Sequence, residues 1–448
     1  QVGTPASAAG ASTGGRLSRL GRALRHRNYR LFFAGQSISL IGTWLTQVAS
    51  SWLLYRLTGS ALLLGVASFA SQAPTFFLSP FAGVWVDRMN RHRTLLATQT
   101  LAMVQSGLLA FFALRGTLDV RHIIALNLFQ GLISAIDIPA RQAFVVQMIE
   151  DRADLGNAVA LNSSMVNSAR LIGPTVAAAL IGLVGEAYCF LIDALSYVAV
   201  LGSLAAMRIA AVPAPVTQKR VLHELRDGLS YVANFPPIRA VLLLLATFAL
   251  AGMPYATLLP VIAREQLGGA AATLGVLTGA AGAGALCGAL YLAARPSVLG
   301  LGRLIVGAGL AFGLAQVALS QVGSLWGALP LMVVIGGGMM VQVAACNTIV
   351  QTIVDEDKRG RVMSLYSMAV FGVVPFGALV AGRVSDAFGA HNALLLGGSL
   401  CCLSSLSFRR TLPRLREHIR PIYTRLGILP ELERGVNEAI HASEPPPA

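Results

Sequence analysis

Long uncharged runs alternate with short polar breaks along nearly the whole chain. A bilayer core of roughly 30 Å takes about 20 apolar residues wound as a helix. Twelve stretches meet or approach that length, near 30–55, 61–86, 94–114, 120–142, 158–184, 187–207, 238–262, 272–294, 304–321, 325–350, 362–385 and 391–408. The pattern predicts an all-α integral membrane protein with twelve transmembrane helices. The longest break, 208–237, carries Pro213, Pro215, Lys219, Pro236 and Pro237 and separates six helices from six. Within it Leu222, Leu225, Leu229 and Val232 recur at steps of three and four, which predicts a short amphipathic helix lying on the membrane surface.

The two halves repeat each other. At an offset of 204, Gln147, Ile149, Asp151, Gly156, Leu161, Ser163 and Gly173 align with Gln351, Ile353, Asp355, Gly360, Leu365, Ser367 and Gly377. Six helices separate the copies, so both enter the membrane the same way round. Parallel six-helix repeats imply two bundles that move against each other. The expected organisation is a disordered basic tail (1–29), a first bundle (30–207), a linker (208–237), a second bundle (238–408), and a basic then Pro-rich tail (409–448).

Composition agrees, with 55% hydrophobic residues, 12% charged residues and a formal net charge of +14. The basic residues are scattered between apolar runs, whereas a nucleic-acid partner needs them on one face. With both termini cytoplasmic, 28 of the 34 Lys and Arg fall on the cytoplasmic side, and the positive-inside rule then fixes N-in and C-in. The first fifteen residues lack the apolar core of a secretory signal. The five cysteines lie in apolar runs without metal-site spacing, and the histidines lie in loops, tails or helix ends. No metal, cofactor or embedded enzyme site is expected. The glycines of the eighth stretch lack a following Gly-Lys-Ser/Thr, which argues against a nucleotide loop.

Charges deep in a membrane are costly and need a reason. Arg170 lies roughly 18 Å into the fifth stretch, and Asp193 about 9 Å from the outer end of the sixth, at 1.5 Å per residue. Either they form a static pair between neighbouring helices, or Arg170 faces an anionic substrate group and Asp193 titrates during a cycle. Gln36, Trp44, Gln47, Asn127, Gln130, Asn162, Asn167, Gln342 and Asn347 are polar or aromatic at mid-helix depth and complete the candidate substrate set.

After the second stretch comes Gly83-Val-Trp-Val-Asp87-Arg88-Met-Asn-Arg91-His-Arg93. This closely resembles the loop 2–3 signature of the major facilitator superfamily, with Asn90 where Gly is usual. The resemblance covers residues 30–408 and implies the two-bundle transporter fold. It also implies a conformational latch, formed here by Gly83, Asp87, Arg88, Arg91 and Asp137, with Asp87 meeting the start of the eleventh helix and Arg91 meeting Asp137. Arg141, four residues after Asp137, offers an intrahelical pair instead. Gly173-Pro174 in Ser168-Ala-Arg170-Leu-Ile-Gly173-Pro174-Thr-Val-Ala177-Ala178 looks like the helix 5 motif of superfamily antiporters. Asn127 stands where the proton-coupled drug exporters usually place Arg. The segments around Asp137 to Ala143 and Ala169 to Pro174 look most like the branch of the enterobactin exporter and transmembrane secretion effectors.

The resemblance implies a secondary active exporter of amphipathic small molecules, drug-like or siderophore-like, with protons as coupling ion. It implies a monomer among membrane lipids in the bacterial inner membrane. A lipid or lysophospholipid carrier, or an importer, uses the same fold.

Overall fold

The computed structural model describes residues 21–208, 221–295 and 297–425. Side-chain surroundings at Gly83 and Asp87 lie outside the described set, although the helix runs through both. The linker residues Pro213, Pro215 and Lys219 and the Pro-rich end beyond 425 also lie outside it.

Among the described residues every regular element is helical. The first half supplies α1 (Arg27–Thr58), α2 (Ala61–Arg88), α3 (Arg91–Leu114), α4 (Val120–Met148), α5 (Leu155–Val184) and α6 (Glu186–Ala205). The linker forms α7 (Val221–Asn234). The second half supplies α8 (Pro236–Gln266), α9 (Ala271–Ala293), α10 (Leu301–Gln321), α11 (Leu325–Ile353), α12 (Arg359–Phe388) and α13 (Ala390–Arg425). Among the described residues, eleven helices are long and apolar enough to cross a membrane. The remaining long helix of the first half, α1, falls outside that group: it is 32 residues long but broken by Gln36, Ser37, Ser39, Gln47 and Ser50. The protein is therefore a multi-pass membrane protein.

Packing divides the described chain into two compact units, the first built on 21–58, 70–208 and 269–279, the second on 59–69, 221–268, 280–295 and 297–425. In the first, α1 packs on α5 and α6, and α3 packs on α4 and α6. In the second, α8 packs on α12 and α13, and α10 packs on α11 and α13. These are the same pairings six crossings apart, so the sequence repeat is also a packing repeat.

The aligned glycines show why the repeat is retained in sequence. A Cβ on Gly173 of α5 would stand 2.5 Å from the Cβ of Trp44 in α1, and one on Gly377 of α12 would run into the carbonyl of Leu250 in α8. Small residues let helix backbones approach where lipid supplies no hydrophobic drive for association.

Each half is also strapped at its start. Arg22–Arg25 form a 3-10 turn. The Ala23 amide donates to Asn157 Oδ1 at 2.9 Å, and His26 Nε2 lies 3.2 Å from Asp154 Oδ2. Order thus begins earlier than the expected tail boundary, because polar groups at the α4–α5 connection hold it. In the second unit, Tyr231 of α7 donates to Asp355 at 3.0 Å and Asp227 lies 3.7 Å from Arg361, so α7 is fastened to the α11–α12 connection. Of its apolar stripe, Val232 is buried and Leu229 is exposed.

Also in the second unit, Asp386 near the end of α12 accepts from the Ala61 amide at 2.6 Å and from the Ser60 hydroxyl at 2.7 Å. The first turn of α2 is thereby capped by a carboxylate from another helix, which satisfies an otherwise orphan N–H.

The largest departure from the sequence reading is at the far end. The expected tail after 408 is instead the continuation of α13 to Arg425. Leu412, Leu415, Ile419 and Tyr423 recur at helical spacing, and this face packs on the second unit's core.

Candidate functional site

Among the described residues three carboxylates are buried in the first unit: Glu186 at the start of α6, which pairs with Arg56 at 3.2 Å, and Asp137 and Asp193, both held by α3. Asp193 of α6 is 1% exposed. Its Oδ2 accepts from Thr46 Oγ1 of α1 and from Ser106 Oγ of α3, each at 2.6 Å. Its Oδ1 has no hydrogen-bond partner among the described residues. That oxygen faces α1, where a Cβ on Gly42 would stand 2.6 Å away. Ser196 turns its hydroxyl back to the Asp193 carbonyl at 2.7 Å. A carboxylate in this setting has lost most of its hydration and keeps two donors in return, so its charge is poorly compensated.

Asp137 of α4 is 4% exposed and better satisfied. Thr98 Oγ1 and Gln99 Nε2 of α3 both donate to its Oδ1 at 2.7 Å, and Arg141 forms an ion pair with its Oδ2. The intrahelical alternative is thus the one formed. Arg91 donates to the Ala143 carbonyl at 3.4 Å and is not among the partners of Asp137. The expected Arg91–Asp137 contact is absent because Arg141, one turn along the same helix, reaches the carboxylate without crossing between helices. Asp87 lies outside the described side chains, and Arg88 is exposed at the end of α2.

Thr98 and Ser106 are eight residues apart, about 12 Å along α3 at 1.5 Å per residue. Both face the interior, with Gln99, Ala102 and Gln105 between them on the buried side. Sequence reasoning missed this stripe, and Thr46 with it, because single hydroxyls are common in membrane helices. The available signal was the spacing: Thr98, Gln99, Gln105 and Ser106 fall at i, i+1, i+7 and i+8 on one face of an otherwise apolar helix.

The remaining expected residues are dispersed. Arg170 is half-buried on α5 and is not among the partners of Asp193. Trp44 packs on Gly173, which the motif containing Pro174 places on α5. Gln36 is buried in α1, while Gln47 on the same helix is exposed. Gln130 donates to Ser134 at 3.4 Å and Asn167 to the Ser163 carbonyl at 2.9 Å, both within their own helices. Asn127 and Asn162 are partly exposed. In the second unit Asn347 accepts from Gln351, and Gln342 is fully buried with neither amide atom partnered among the described residues.

The repeat exposes an asymmetry. The α3–α6 seam holds Ser106 and Asp193, whereas the equivalent α10–α13 seam is closed by small residues. A Cβ on Gly313 would stand 2.6 Å from both Cys402 Sγ and the Gly398 carbonyl. One unit keeps a buried acid at a seam that the other packs shut.

Helices with this repeat, packed around buried intramembrane acids, define a membrane transporter of the parallel-repeat class. The chain belongs to the transmembrane secretion effector family of the major facilitator superfamily, whose model matches residues 21–423. This is a transporter family and not an enzyme family. The chain is 24% identical to the staphyloferrin A transporter of Staphylococcus aureus over 85% of its length and 95% of that relative. It is 24% identical to macrolide efflux protein A of Streptococcus pyogenes, over 84% of the chain and 95% of the relative. It is 25% identical to the multidrug efflux pump Tap of Mycolicibacterium fortuitum, over 84% and 93%. Among solved structures, an inward-facing bacterial homologue of the iron transporter ferroportin shares the fold with a TM-score of 0.67 at 17% identity, covering 86% of this chain and 98% of that one. A bacterial homologue of the lysosomal transporter Spinster does so with a TM-score of 0.69 at 14% identity, covering 87% and 97%.

Proposed function

We propose that this chain is a secondary active exporter of amphipathic organic small molecules, drug-like or siderophore-like, working by alternating access as a proton-coupled antiporter. The observation that carries the reading is Asp193, an acid buried among α1, α3 and α6 with one oxygen unpartnered, in a chain that matches efflux proteins along nearly their whole length. The unpartnered Oδ1 is a position at which the carboxyl can carry a proton. The acid's two hydroxyl partners can each rotate to serve the ionised or the neutral form. Proton binding and release there would alter the α1–α3–α6 packing, which supplies a means of coupling. Arg170 of α5, whose planar guanidinium can bond a carboxylate or phosphate in two places, is the residue suited to meet an anionic group of the substrate.

In this reading the protein is a monomer with twelve crossings and both termini in the cytoplasm, in the bacterial inner membrane. The arginine distribution supports the orientation. Protons and the substrate are its only required partners, with no cofactor.

The test is uptake of a panel of fluorescent amphiphiles into everted vesicles with and without an imposed proton gradient. Gradient-dependent accumulation that is lost in Asp193→Asn is the expected result. Gradient-independent movement, or movement of lysophospholipid analogues alone, would overturn proton-coupled export in favour of a lipid carrier.

A further inference from the structure

The second unit contains a cavity of about 450 Å³ whose lining includes neither Asp137 nor Asp193. Its walls come from the start of α8, the turn leading into α10, the end of α11 and the extension of α13. The interior surface is mostly hydrocarbon: Val241, Leu301, Ile349, Phe408, Leu412 and Ile419. Two arginines, Arg416 and Arg420, stand one helical turn apart at its mouth with Glu417. Both are exposed, and neither forms an ion pair among the described residues.

The position of this cavity follows from where helices end. Here α8 begins at Pro236, α10 begins at Leu301 and α11 ends at Ile353, so three helices reach their polar termini at this level. Only α13 continues past it, and residues 409–425 hold six arginines against one acid, Glu417. A helix whose apolar face is buried and whose other face is basic belongs at the headgroup boundary. The turn that forms one wall is itself fixed: Gly300 has φ of 78°, and Arg295 donates to the Ser297 carbonyl at 3.2 Å. The cavity is therefore built of packed helix ends and a braced turn.

We infer that this cavity is a binding site for an anionic phospholipid, with the phosphate held by Arg416 and Arg420 and the upper acyl chain lying against Leu412, Ile349 and Val241. Charge selects the headgroup, since two cations face one carboxylate. The hydrocarbon walls select a lipid over a soluble anion, because inorganic phosphate would leave them against water. Basic pockets between membrane helices on the cytoplasmic side recognise acidic headgroups by the same physics. Occupancy would pin the α13 extension to α8 and α10, tying the second unit to the composition of the leaflet around it.

The experiment uses the full chain purified in detergent. Native mass spectrometry counts retained phosphatidylglycerol and phosphatidylcholine, and thermal unfolding is followed with each lipid and with inorganic phosphate. Phosphatidylglycerol is expected to be retained preferentially and to raise the unfolding temperature. The double variant Arg416→Gln/Arg420→Gln is expected to weaken that retention on the order of tenfold. Both arginines are exposed, so its unfolding temperature without lipid should match the parent. Equal retention of the two lipids, undiminished phosphatidylglycerol binding by the double variant, or the same stabilisation from inorganic phosphate alone would each overturn the lipid site. Because binding is read directly, the result stands apart from whether transport is proton-coupled.

Discussion

Ser106 of α3 donates a 2.6 Å hydrogen bond to Asp193 of α6, and two turns earlier on α3 Thr98 makes the equivalent bond to Asp137 of α4. One helix thus supplies a hydroxyl to each of these two carboxylates, yet the two acids are compensated differently. Asp137 has a guanidinium and Asp193 has none. The difference makes Asp137 suited to fastening helices and leaves Asp193 as the acid that carries the proposed function.

Asp193→Asn is expected to insert and fold but to lose gradient-driven transport, since the amide keeps the shape and cannot release a proton. Ser106→Ala removes one of two donors to a buried acid, a change that costs roughly 1–3 kcal/mol. It should lower the unfolding temperature while retaining transport. Transport assays in everted vesicles beside thermal unfolding of the same preparations separate the two effects.

At the other acid, Arg141→Leu leaves the Asp137 carboxylate with neutral donors only. It should destabilise by roughly 1–3 kcal/mol, because a buried charge has lost its counter-ion. Adding Asp137→Asn should restore part of that loss. A double-mutant cycle on unfolding measures it, and independent, additive losses would show that the ion pair contributes nothing.

The glycines of the repeat give a third expectation. Gly173→Leu and Gly377→Leu each place a side chain where a neighbouring helix already lies, and overpacking of this kind costs typically about 1–3 kcal/mol. Gly182, on the same helix as Gly173, has nothing within 4 Å of an added Cβ. Gly182→Ala should be neutral or slightly stabilising, since alanine is the better helix former. Thermal unfolding of the three variants in one detergent orders them.

The start of α4 gives a pH dependence outside the membrane spans. Asp119 accepts from the His122 amide at 2.9 Å, and that hydrogen bond holds its carboxyl below the usual carboxylate range. A depressed folded value means the cap's contribution is complete above the unfolded value and is lost as pH falls through the folded one. Amide exchange at the first turn of α4 should rise as the pH falls through that window. In Asp119→Ala it should be fast and flat with pH.

The all-helical membrane character, the linker helix and the repeat were legible in the sequence because each rests on local periodicity. A run of about 20 apolar residues must wind as a helix in lipid, since no water is there to take its backbone groups. The loop signature around Asp87 and Arg91 was enough to indicate the family. The partners of the acids were not legible. Asp193 draws Thr46 and Ser106 from helices far away in the chain, and Asp137 takes Arg141 in preference to Arg91. The continuation of α13 to Arg425 likewise depended on a hydrophobic surface for Leu412, Leu415 and Ile419 to cover, and only the assembled helix ends provide it. Sequence alone determined that the chain enters the membrane as repeated helices, because the solvent enforces it. Tertiary structure decided which donors meet each charge, because that depends on the facing of helices whose hydroxyls carry no distinguishing local pattern.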